Sequence, residues 1–284
     1  MLSAARLTHF TAPDGYRFAV HQWQHPRPSA RLVFLHGIVS HAGWYPRSCR
    51  HLAQEGVEVH FLDRRGSGLN LAGRGDVAAC RTWMDDVEAY LEQLPRDAPR
   101  LLMGISWGGA LAAAVAGRRP DLLSGMGLLC PGLYARQAAN AAQGVAIRLA
   151  HRAGFGKHRV SIPLQDPALF TTSAAFQEYI RTDPLTLRRI TIRFAAANLQ
   201  LLHYATEAPE AIHVPTLLML AERDAIVHNE RVRAWADRIA CDRKETVEYR
   251  GAGHTLEFEP DPSRYFADLA DWVRRFTGQR SANP

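Results

Sequence analysis

The chain has 284 residues, of which 47% are hydrophobic and 22% charged, with a net charge of +6; these are ordinary globular values and exclude a disordered chain or a fibrous repeat. No apolar run reaches the roughly 18 residues of a membrane span, and the first residues lack the apolar core of a signal peptide, so a cytoplasmic protein without stable membrane insertion is expected. The basic excess is dispersed, with lysine only at 157 and 244; this argues against a nucleic-acid partner, and the single basic patch, His151 to Arg159, reads as solvated surface.

Cys49, Cys80, Cys130 and Cys241 lie far apart, with no CxxC pair and no histidine at ligand spacing. They read as reduced, mostly buried thiols, so neither a zinc site nor a disulfide framework is expected. From the N-terminus, Leu7 to Thr11 and Tyr16 to Trp23 read as strands joined around Asp14-Gly15, an antiparallel hairpin. "RLVFLHG" is an apolar run suited to a strand buried on both faces, and helical periodicity follows from Tyr45 to Gln54. The same order recurs in "VEVHFLD" with a helix near Trp83 to Leu94, and in "RLLMGIS" with a helix from Trp107 to Gly117. After "MGLLC", it returns in "TLLMLAERD" with Glu230 to Ile239, and in "TVEYRGAGH" with Arg264 to Phe276. Such alternation predicts a mostly parallel sheet covered by helices on both faces.

Tyr134 to Ala211 breaks the rhythm. Its segments Ala135 to Ala153, Ser173 to Ile180 and Pro184 to Ala205 all carry helical patterns. Ligands of open α/β sheets bind at the carboxyl ends of the strands, where an insert at this point emerges. The expected division is therefore an α/β core of residues 1–133 and 212–284 and a helical cap of residues 134–211. Apolar cap positions such as Leu164, Leu169, Phe170, Phe176, Ile180, Phe194, Leu201 and Leu202 suit packing at least as well as an acyl pocket.

"GISWGG" places Ser106 between an apolar strand and a helix-forming run, in the pattern G-x-S-x-G. A sharp strand-to-helix turn lifts such a serine above the sheet edge, and a Cβ at 104 or 108 would clash. A serine hydroxyl needs a base to take its proton, and that base needs a carboxylate to fix its tautomer. Asp224 follows one downstream apolar strand and His254 follows the next, so the chain order is Ser, Asp, His. Asp261 and Asp242 are weaker rivals for the acid. An oxyanion hole requires two N–H donors; Trp107 supplies one by position, and Ile38, after His36-Gly37, supplies the other. His36 itself suits bracing of that loop better than catalysis. No metal and no cofactor are required.

The combination of "HGIVSHAGWY", "LDRRGSGLN", "GISWGG", "ERDAIV" and "GAGHTLEFE" resembles the α/β-hydrolase superfamily, in particular its monoacylglycerol lipase and lysophospholipase-like branch of the serine aminopeptidase S33 type. The resemblance implies a mainly parallel eight-stranded sheet under a helical cap, and ester hydrolysis through an acyl-enzyme. It carries over Ser106 as nucleophile, Asp224 and His254 as its partners, Ile38 and Trp107 as oxyanion donors, and Asp63 as a loop-bracing aspartate. Ser40, Trp44 and Trp107 depart from the glutamate, arginine and methionine common at these positions. The expected substrate is a small acyl ester: a monoglyceride, a lysophospholipid or a medium-chain ester, met at most through transient contact with a lipid surface. Thioesterases, acyltransferases, carbon–carbon bond hydrolases and iminopeptidases use the same triad, and a ligand receptor can keep the fold.

Overall fold

The computed structural model describes residues 5–277. Its strands in chain order are β1 (Arg6–Thr11), β2 (Arg17–Trp23), β3 (Ala30–Leu35), β4 (Val57–Leu62), β5 (Arg100–Ile105), β6 (Gly125–Leu129), β7 (Arg159–Ser161), β8 (Arg189–Thr191), β9 (Thr216–Ala221) and β10 (Lys244–Tyr249). Eight of them form one sheet in the order β1-β2-β4-β3-β5-β6-β9-β10. The first hairpin is antiparallel, with Arg6 facing Gln22, and β2 also runs antiparallel to β4; from β4 to β10 every pairing is parallel. The apolar runs expected to be buried on both faces are so: β3, β5 and β9 are buried at every residue.

The helices are α1 (Pro46–Gln54), α2 (Cys80–Gln93), α3 (Trp107–Arg118), α4 (Ala141–Arg152), α5 (Ala174–Thr182), α6 (Ile192–Thr206), α7 (Asn229–Asp237) and α8 (Ser263–Thr277). They fall close to the periodic segments, and α2 begins at Cys80, one turn ahead of its expected start. α3 is buried from Trp107 to Ala116, which accounts for a sequence that is apolar all round rather than along one stripe.

Between β6 and β9 lie α4, α5 and α6, together with a feature that helical periodicity did not suggest. β7 and β8 pair antiparallel, Val160 facing Ile190, as a separate two-stranded ribbon. Residues 184–205 are consequently not one helix. The β-branched pair Ile190-Thr191 extends the chain, and the Thr191 hydroxyl accepts from Phe194 N–H at 3.1 Å, so α6 starts only at Ile192. α6 then packs along α3. No described helix is long and apolar enough to cross a membrane.

Parallel register sets the functional edge. Leu35 faces Gly104, Ile105 faces Leu129, and Leu129 faces Met219. The carboxyl ends of β3, β5, β6 and β9 therefore finish level, and the loops after them meet above one edge.

Candidate active site

Ser106 leaves β5 with φ 54° and ψ −121°, a strained conformation for a residue with a Cβ, and α3 begins at the next residue. The flanking glycines make this turn possible: a Cβ on Gly104 would lie 2.2 Å from Gly108 O, and one on Gly108 would lie 2.4 Å from Leu35 O. The turn is tied to the next strand, since Ser106 N–H donates to Leu129 O at 2.9 Å and Gly132 N–H donates to Ser106 O at 2.7 Å. Ser106 thus sits at the amino end of a long buried helix, where free N–H groups and the helix dipole favour negative charge.

Two strands further along the same edge, Asp224 and His254 meet. His254 Nδ1 donates to Asp224 Oδ2 at 2.7 Å, while Asp224 Oδ1 accepts from the N–H groups of Ile226 and Val227, both at 2.8 Å. Burial pushes the Asp224 carboxyl up, but the His254 charge and hydrogen bond and the two backbone donors outweigh it and hold it below its ordinary value. With Nδ1 committed to Asp224, His254 Nε2 is buried and has no hydrogen-bond partner among the described residues. The rival acids, Asp242 and Asp261, are exposed.

The loop after β3 faces Ser106 from the other side; a Cβ on Gly37 would lie 3.3 Å from Ser106 Cβ. His36 Nε2 accepts from Arg64 N–H at 2.9 Å, so Nδ1 carries the proton and donates to Gly37 O at 2.7 Å. Burial and the neighbouring Arg64 charge pull His36 down to about 3. It is neutral at working pH and is spent on the loop. Among the described residues, neither Ile38 N–H nor Trp107 N–H has a protein acceptor. Asp63 braces the same region, accepting from Ala42 N–H and Leu69 N–H, both at 2.9 Å.

Residues 26–261 match the model of the family described as serine aminopeptidase, S33. The chain belongs to that family. As an S33 member, it is 27% identical over 265 residues to phospholipase YtpA of Bacillus subtilis, a match covering 90% of this chain and 98% of the relative. It is 25% identical over 282 residues to a monoacylglycerol lipase of Mycolicibacterium smegmatis, covering 96% and 99%. Among solved structures, a monoacylglycerol lipase of Paleococcus ferrophilus superposes with a TM-score of 0.83 at 22% identity, over 91% of this chain and 99% of that one. A soluble variant of monoglyceride lipase from Saccharomyces cerevisiae, in complex with a substrate analog, gives 0.85 at 20% identity, over 96% of each. The α/β-hydrolase fold and the eight-stranded sheet agree with these neighbours.

Within this S33 member the structure adds contacts that sequence patterns had not suggested. Cys130, at the end of β6, holds φ 42° and is fully buried, and its Sγ groups with the Asp224 and His254 donor atoms within 4.8 Å. Three such donors could approach a metal ion, but the carboxylate and Nδ1 already satisfy each other. Burial and the adjacent Asp224 charge push the thiol well up, so it stays protonated. Trp107 does more than follow the serine: its Nε1 donates to Asn198 Oδ1 of α6 at 2.6 Å, and its ring meets Trp83 edge-on at 4.9 Å. From the insert, the Phe170 ring stands 6.1 Å from that of His254, and Phe170 O accepts from Thr255 N–H at 2.9 Å. Of the apolar insert positions, Phe170, Ile180, Phe194 and Leu201 are core, and Leu164, Leu169, Phe176 and Leu202 are partly buried against it. Only the position of "LLCPGL" after a strand could have flagged Cys130. Nothing local flags Asn198.

Proposed function

We propose that the protein is a serine ester hydrolase that cleaves monoacylglycerols or lysophospholipids through an acyl-enzyme on Ser106. The observation that carries this reading is the Asp224–His254 hydrogen bond, which leaves Nε2 as the free, basic nitrogen on the edge that also bears the strained Ser106. The names of the relatives, a phospholipase and a monoacylglycerol lipase, support the substrate class.

In the proposed reaction His254 Nε2 takes the Ser106 proton as Oγ attacks the ester carbonyl carbon. The carbonyl oxygen becomes the oxyanion and is held by the N–H groups of Ile38 and Trp107. The imidazolium, stabilised by Asp224, gives its proton to the departing glycerol oxygen, and the acyl group stays on Ser106. Water then repeats the sequence, losing a proton to Nε2, and releases the fatty acid with Ser106 restored. Residues 134–211 act as the cap over a core of 1–133 and 212–284, of which 1–4 and 278–284 lie outside the described residues, and enclose a medium-length acyl chain.

The test uses purified protein with monoacylglycerols, lysophosphatidylcholines and thioesters of graded chain length. Ester turnover should exceed thioester turnover, peak at intermediate length, and fall by about 10⁴-fold or more in Ser106→Ala. Labelling by a fluorophosphonate should vanish in the same variant. Turnover retained in Ser106→Ala would sink the nucleophile assignment, and equal rates from acetyl to palmitoyl would remove the acyl-enclosing cap.

A further inference from the structure

Arg64 lies just past β4, is buried, and reaches both halves of the candidate oxyanion site. Its Nη1 donates to Gly37 O at 3.3 Å and its Nη2 to Ile38 O at 2.8 Å. The same guanidinium carbon lies 4.6 Å from the centroid of the Trp107 ring and 5.6 Å from that of Phe194. Its backbone N–H, through His36, also sets the tautomer that sends a second donor to Gly37 O. One residue thus grips the loop that carries the first N–H and stacks on the side chain of the residue that carries the second.

We propose that Arg64 is a positioning residue of the oxyanion hole, which holds the Gly37–Ile38 peptide in place and sets an unneutralised positive charge behind it. The inference rests on reading Ile38 and Trp107 N–H as the oxyanion donors. In a trans peptide the C=O and N–H point in opposite directions, so the two donors on Gly37 O lie across the peptide plane from Ile38 N–H. Hydrogen bonds to a peptide oxygen polarise the whole unit and make its N–H a stronger donor. Among the described residues Arg64 forms no salt bridge; Asp63 acts on it only at longer range. Burial lowers its pKa to about 9, and it remains charged at neutral pH. Such a charge favours the oxyanion of the transition state far more than the neutral ester that precedes it. The stack on Trp107 gives the cation a flat electron-rich face in place of a carboxylate.

The experiment compares wild type, Arg64→Gln and Arg64→Lys in monoacylglycerol hydrolysis and in binding of two inhibitors. One is an alkyl trifluoromethyl ketone, which forms a charged adduct with a nucleophilic serine; the other is the matching unreactive ether. Arg64→Gln should lower kcat by about 10²-fold with KM changed less than about threefold, and Arg64→Lys should recover part of the loss. Ketone affinity should fall in step with kcat while ether affinity holds, a split that general loosening of the fold would not produce. Unchanged kcat, or equal loss of both inhibitors, overturns the proposal. If Arg64→Gln fails to fold, Arg64→Lys is judged by the same split. A wild type whose turnover survives Ser106→Ala overturns the reading of the site and this inference with it; Ser106-dependent turnover with an unaffected Arg64→Gln overturns this inference alone.

Discussion

The Asp224 carboxylate has divided its two oxygens, one for the backbone and one for His254. That division predicts the effect of Asp224→Asn. Because Ile226 and Val227 N–H both require an acceptor, the amide oxygen must face them and the NH₂ group must face His254. Two donors then oppose each other unless the imidazole moves its proton to Nε2, where it can no longer accept from Ser106. We expect kcat to fall by about 10³ to 10⁴-fold with the folded state retained, measured on a short p-nitrophenyl ester beside a thermal melt. A loss under tenfold would mean that Asp224 is not the orienting acid. Ser106 and Asp224 could be proposed from sequence because each follows an apolar run, which strands buried on both faces write plainly, whereas β10 is only half-buried and His254 stood out by the glycines of "GAGH". Arg64 and Cys130 could not: their significance depends on what they touch, Gly37 and Ile38 in one case and Asp224 in the other, and those partners are remote in the chain.

At the scale of elements, the loop bearing His254 is anchored to α1 by Glu257. Its carboxyl accepts from Arg47 N–H at 2.8 Å and Ser48 N–H at 3.2 Å at the amino end of that helix, and it also bonds the Ser48 hydroxyl. Burial pushes Glu257 up to about 7 from an ordinary 4.5, against the opposing effect of these donors. Between those two values the unfolded chain has lost the proton while the folded one keeps it. Folding stability therefore falls as pH rises through that window and levels off above it, by ~3 kcal/mol at most. Glu257→Gln, neutral throughout, should flatten the curve; urea midpoints measured from pH 4.5 to 8 provide the check. A wild-type midpoint that does not fall over this range would exclude a protonated Glu257. Local patterns located this loop but not its anchor. The periodicity of α1 tells which face is buried, and carries no information on which distant carboxylate meets its first turn. The β7–β8 ribbon was missed for a related reason: two three-residue strands are too short to show a period, and only their pairing makes them strands.

On the scale of the whole molecule, the insert and the sheet are joined at Asp183, just past α5. Its Oδ2 accepts from His41 Nε2 and Trp44 Nε1, both at 2.8 Å, and its Oδ1 from Leu185 N–H at 2.9 Å. Burial raises the carboxyl, but the donors from His41 and Trp44 outweigh it and hold it well below its ordinary value. The stability this junction contributes is present above pH 4 and is lost as pH falls further. Asp183→Ala leaves two buried N–H groups without an acceptor and should cost about 3 kcal/mol at pH 7 by urea denaturation. The exposed Asp166→Ala in the same insert serves as the control; equal effects of the two would mean that the junction holds nothing. Trp44, noted in sequence only as a departure from the usual arginine, acquires its meaning here as a donor to a residue 139 positions away. The sequence by itself determined the mostly parallel sheet and put Ser106, Asp224 and His254 after successive strands in that order, because burial on both faces and tight turns leave local marks in composition. Only the tertiary structure decided which side chains hold the loops at the sheet edge, since those contacts join segments whose spacing in the chain places no constraint on their meeting.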